Sequence, residues 1–288
     1  MKSRAIIKYF FFLLFCSFFY LFASFFSAFN RNTPRLSDSW IFKENQNSPV
    51  LGDLGGKKVS IPKQFANFVE YENDPHFLEP RNGPTPTRTH QSRLRSFGFE
   101  VRYPDMVDLT AETLPDKNQH TIYNTNWISV SIRVEPYYDR KVLERQRNAI
   151  SDKSLGHGKG YKPSTRSIYG LVVHETYGFD EAKRKPFTHD ALDKNIYLHI
   201  DETGQIDNFI KCSNVRHEAA PCNQSFLIDN FKNTMVEVDY RIGFLPHWQE
   251  IQSAVTNRIK SFAVQHKKLQ FQTLRNSTNA QYNYNLGN

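Results

Sequence analysis

Twenty-one consecutive residues without a charge, Tyr9 to Phe29 (YFFFLLFCSFFYLFASFFSAF), constrain this chain more than any other feature. A helix rises about 1.5 Å per residue, so a run of this length reaches across the roughly 30 Å core of a bilayer. Lys2, Arg4 and Lys8 precede it. Arg31 and Arg35 follow, closely trailed by Asp38. This bias predicts an uncleaved anchor with a cytoplasmic N-terminus. The expected placement is single-pass in a bacterial inner membrane, with residues 1–8 cytoplasmic, 9–29 in the lipid bilayer and the C-terminal domain periplasmic. A cleaved signal peptide fits less well. Its apolar region is usually about 7–15 residues and ends in a small-x-small site, whereas Phe26 stands two residues before Ala28. A lipoprotein site needs a small residue before Cys16, and Phe15 stands there.

The net charge is +8, and three of the cations sit ahead of the apolar run. The remainder is mildly basic, with no dense Lys/Arg run, so no nucleic-acid partner is expected. Residues 30–56 are polar, with Pro34, Pro49, Gly52, Gly55 and Gly56, and read as a linker. A folded domain is expected over 57–266, and 267–288 reads as a disordered tail.

Within the domain, Phe97, Phe99, Val101 and Tyr103 alternate with Gly98, Glu100 and Arg102. Ile128, Val130, Ile132 and Val134 alternate with Ser129, Ser131 and Arg133. Both runs have the period of half-buried strands. Arg140 to Ile150 suits a helix, Ser154 to Ser164 a glycine-rich loop, and Tyr169 to His174 a third strand. Ile196–Ile200 and Gln205–Cys212 form a hairpin turning at Gly204. Cys222–Ile228 and Met235–Tyr240 add two strands, and short connections make these four antiparallel neighbours. Pro246 then opens a helix whose Trp248, Ile251, Val255, Ile259 and Phe262 form one apolar stripe. The expected fold is therefore α+β: a transmembrane helix, then an antiparallel-sheet domain with packed helices and a C-terminal amphipathic helix on the sheet. Strand–helix order recurs loosely twice, which leaves open a division into two subdomains near 151–164.

Cys16 lies in the apolar run. Cys212 and Cys222 flank a polar loop between two expected strands, so they are expected to form a disulfide. Metal binding with His217 lacks a fourth ligand at usable spacing. No catalytic motif emerges. His174-Glu175 has no second His four residues on, and no G-x-S-x-G is present. Gly156 to Gly160 has its lysine in the wrong place for a phosphate loop. His189, Asp190, Asp193 and His199 form the one candidate polar cluster, with Asp201 nearby. Two carboxylates and a His are capable of acid–base work, but solvated turn residues explain the pattern more simply. No catalytic residue, metal ligand or cofactor site is assigned.

Three stretches resemble a family of membrane-anchored proteins found with bacterial type VI secretion. They are Gly55-Gly56-x-x-Val59-Ser60-Ile61-Pro62 with Tyr71-Glu72-Asn73-Asp74-Pro75; Arg88-Thr89 through Ser96-Phe97-Gly98-Phe99-Glu100-Val101-Arg102-Tyr103-Pro104-Asp105-Met106; and Tyr240-Arg241 through Leu245-Pro246-x-Trp248. The likeness covers most of residues 50–265. It implies an immunity or accessory protein that binds a secreted toxin, not an enzyme, and it carries over no catalytic residue. The rival expectations are an envelope hydrolase using the acid/His set and a structural component of an envelope machine.

Overall fold

The computed structural model describes residues 48–264, apart from 76–78, 80–82, 122–123 and 191–192. It opens with a hairpin of β1 (Val50–Leu54) and β2 (Lys57–Ile61), turning at Gly55 and Gly56. Gly55 has φ +56°, and a Cβ there would lie 2.4 Å from Thr234 Oγ1. Only glycine meets both conditions. A single 3-10 turn (Lys63–Phe65) leads to β3 (Asn67–Tyr71). Then come β4 (Leu94–Arg102), β5 (Val107–Asp108), α1 (Leu114–Gln119), β6 (Trp127–Val134) and α2 (Val142–Ser151). The next strands are β7 (Lys159–Ile168), β8 (Leu171–Asp180), β9 (Lys185–Pro186) and β10 (Lys194–Ile200). The chain finishes with β11 (Ile206–Ser213), β12 (Pro221–Leu227), β13 (Thr234–Arg241), a 3-10 segment (Ile242–His247) and α3 (Trp248–Ser261).

One antiparallel sheet organises these elements, in the order β3-β4-β6-β13-β12-β11-β10-β8-β7. Helix α3 lies on one face. Its stripe of Trp248, Ile251, Val255 and Ile259 is buried, as is Phe262 just beyond its end. The Phe262 ring lies 5.3 Å from Phe65, 6.3 Å from Phe97 and 6.2 Å from Phe99. Such aromatic pairs add specificity to the area they bury. Backbone bonds from Ser60 N to Phe262 O (2.9 Å) and Val264 N to Lys58 O (2.9 Å) tie the β1–β2 hairpin to the end of α3. Helix α2 lies on the opposite face, over β10 and β11. There Val142 and Leu143 meet Ile196, Leu198, Ile206 and Phe209 in a second, smaller core.

The expected fold class is corrected. The described residues are mostly antiparallel sheet, in place of an α+β fold headed by a transmembrane helix. Strand β1 lies within the stretch read as linker, and β7 within and beyond the one read as a glycine-rich loop. An exposed edge strand need not alternate in polarity, so β7, with Lys162, Pro163 and Arg166, left no periodic trace. The helix expected from Pro246 begins at Trp248, with Pro246 inside the preceding 3-10 segment. The single-pass inner-membrane placement is corrected as well: among the described residues no helix is long and apolar enough to cross a membrane. The run 9–29 and the tail 267–288 lie outside the described residues.

Candidate functional site

The sheet has more surface than α2 and α3 cover. On β4, Leu94, Phe97, Phe99 and Val101 face α3, and Ser96, Gly98, Glu100 and Arg102 point the other way. On β6 the outward set is Ser129, Ser131 and Arg133. Register aligns Ser96 with Arg133, Gly98 with Ser131 and Glu100 with Ser129. On β13, Glu237 aligns with Ser131 and Asp239 with Ser129. Because α2 packs farther along the sheet, this polar half-face stays open as a trough of about 540 Å³.

Small side chains form the floor. A Cβ on Gly98 would lie 3.0 Å from the Val130 carbonyl oxygen, so a larger residue there requires backbone adjustment. The walls carry charge. Arg95 Nε donates to Glu135 Oε1 at 3.1 Å, and that bond raises the guanidinium pKa. Ser96 Oγ donates to Glu70 Oε2 at 3.0 Å, and Lys117 pairs with Glu100. Phe68, on the edge strand β3, is 84% exposed with φ 51°. No histidine or cysteine lines the trough.

The polar cluster expected from the sequence is divided. Asp193 is 7% exposed and pairs with Lys159 Nζ at 2.6 Å. Its other oxygen accepts from the Asp190 amide at 2.8 Å. Burial raises the Asp193 carboxyl pKa, but the Lys159 ammonium and the Asp190 amide outweigh it and hold the group below its usual range. It is therefore ionised and occupied, which suits a loop clasp better than a general base. His189 Nε2 hydrogen-bonds Asn195 Oδ1 at 3.1 Å, with Nδ1 3.9 Å from Asp193. His199 stands at the other end of β10. It hydrogen-bonds Asp207 at 2.6 Å and packs 5.1 Å from the Trp248 ring. Asp201 accepts from the Thr203 and Gln205 amides in a turn. Among the described residues no group of three or more His, Cys, Asp or Glu is placed to hold a metal ion.

Cys212 and Cys222 face each other in the β11–β12 register and form a disulfide. Both are buried in the main core.

The stretches that carry the family resemblance have structural work. Tyr71 donates from its hydroxyl to Leu51 O at 2.7 Å and carries the Arg88 guanidinium 4.1 Å above its ring. Arg88 also pairs with Asp74. Arg102 bridges Asp105 and Asp116, and Asp116 also accepts from Trp127 Nε1 at 3.2 Å. Tyr103, before a cis Pro104, donates to Glu250 at 2.8 Å; burial and that bond push its hydroxyl pKa up to about 12. Ser96 to Glu100, in the middle stretch, also line the trough. Sequence reasoning assigned these residues to a strand but not to a site. The available signal was the polar side of two neighbouring strands, which holds glycine and serine where long charged residues are usual.

No protein-family model matches the chain, and no curated protein matches it. The iron-regulated outer membrane lipoprotein FrpD of Neisseria meningitidis is similar in structure over 76% of this chain and 93% of that one, at 15% identity and a TM-score of 0.40. An immunity protein of the Stenotrophomonas maltophilia type IV secretion system is similar over 76% of this chain and 94% of that one, at 19% identity and a TM-score of 0.49.

Proposed function

We propose that this chain binds a secreted antibacterial effector protein and neutralises it by direct contact, as an immunity protein does. The carrying observation is the open trough on β4 and β6, a concave, charged sheet face that neither α2 nor α3 covers and that α1 touches through Lys117 and Glu100. A rigid antiparallel sheet suits such a role, because binding costs less when the contact surface is already ordered. The sequence resemblance to proteins found with type VI secretion supports the same reading and suggests that delivery route. Co-expression with candidate antibacterial toxins tests it. Survival of cells carrying both genes and death of cells carrying the toxin alone is the expected result, with the two purified proteins eluting as one complex. Equal killing with and without this chain would sink the proposal.

A further inference from the structure

Phe68 lines the open trough, and Tyr137 follows two positions after Glu135, another of its lining residues. Between Asn67 and Glu70 the pairing of β3 with β4 slips, and at that irregularity Phe68 is held at φ 51° and 84% exposed. Bulky side chains rarely adopt that backbone conformation, which costs stability, and such strained positions cluster at binding and functional sites. Tyr137, 59% exposed, packs edge-on against Tyr138 with ring centroids 4.8 Å apart. It lies beyond Glu135, within electrostatic reach of Arg95. Large aromatic side chains, once desolvated by a partner, are among those that dominate protein interfaces.

The charge of this face is opposite to that of the chain. Glu70, Asp74, Glu100, Glu135, Glu237 and Asp239 lie on it or at its edge, against the cations Arg95, Arg102, Lys117, Arg133 and Arg241, and the lining of the trough itself holds four of these acids against Arg95 and Arg133. The chain as a whole carries +8. A surface that meets this face needs cations opposite the carboxylates, and such matching sets association rate and partner choice.

We infer that the open face of β3, β4, β6 and β13 docks a protein whose contact surface is cationic, with Phe68 and Tyr137 as the two anchors. The inference rests on the effector-binding reading and names the chemistry of the partner.

The test uses the full chain and the purified toxin against which it protects cells in the co-expression assay. Phe68→Gly removes the ring and relaxes the backbone, so its melting temperature should match or exceed wild type while affinity falls at least about 30-fold. A residue with a structural role alone does not give that pairing of effects. Tyr137→Ala should weaken binding in the same way. The double variant Glu237→Lys, Asp239→Lys should associate more slowly and lose most of the salt dependence of the wild-type association rate. If wild type binds, and Phe68→Gly and Tyr137→Ala bind within twofold of it, the docking face is wrong and the effector-binding reading survives. Absence of wild-type binding overturns both. Self-association of the chain that Phe68→Gly abolishes would make a second copy the occupant, and overturns the inference as well.

Discussion

At the scale of single residues, the decisive feature is a polar ladder beneath α3. Gln224 Nε2 donates to Asn208 Oδ1 at 2.8 Å and to Trp248 O at 3.4 Å, and Gln224 Oε1 accepts from the Tyr240 hydroxyl at 3.0 Å. Asn208 Nδ2 continues the ladder to Gln252 Oε1 at 2.9 Å. Gln224 and Asn208 are fully buried and Tyr240 nearly so, and burial drives the tyrosine pKa well above its ordinary value. Buried polar groups that lose a partner cost about 1–3 kcal/mol each. Gln224→Leu keeps the volume but strands the Tyr240 hydroxyl and Asn208 Oδ1. It should therefore destabilise the chain by about 2–4 kcal/mol in urea unfolding. A loss below about 0.5 kcal/mol would show that water or neighbouring groups satisfy those atoms. The ladder was not legible in the sequence. Gln224 and Asn208 read as ordinary strand residues, and the contact with Gln252 spans 44 positions.

At the scale of elements, legibility followed burial. The strands with one buried face, β4 and β6, showed their period of two. So did β13, where Val236, Val238 and Tyr240 face α3. The order β10-β11-β12-β13 followed from short connections. The edge strand β7 escaped, because it buries little and contains Pro163. The disulfide was legible because Cys212 and Cys222 stood at the ends of two expected neighbouring strands. It closes a short loop, with a sequence separation of 10. Chain entropy alone gives such a bond about 3 kcal/mol, present where the surroundings are oxidising. The double variant Cys212→Ala, Cys222→Ala should lower the unfolding free energy by about that amount, and dithiothreitol should do the same to wild type. Because both sulfurs are buried, reduction should be slow without denaturant. Rapid reduction of the native chain, or an unchanged urea midpoint in the variant, would contradict this account.

For the whole molecule, the question is whether one sheet with a core on each face unfolds as one unit. Strand–helix order in the sequence left a break near 151–164 open, and the strands on either side of it join a single sheet. Individual strands also serve both cores. On β13, Val236 and Val238 face α3 while Met235 belongs to the smaller core. On β11, Ile210 and Cys212 face α3 while Phe209 packs near Leu143. The open trough follows from the same geometry, since it exists only because α2 packs farther along the sheet. No alternation pattern in the strands encodes that placement, so the candidate site was not readable from the sequence. Shared strands transmit the loss of either core to the other, which predicts two-state behaviour. Ile251→Ala, in the main core, and Leu143→Ala, in the smaller one, should each cost about 2–5 kcal/mol. Each should shift one common urea transition, followed in parallel by far-ultraviolet circular dichroism and by tryptophan fluorescence. Trp127 and Trp248 both report on the main core or its edge, so the Leu143 variant is the sharper test. If it melts the dichroism signal early and leaves the fluorescence transition in place, the two faces unfold independently and the sheet does not couple them.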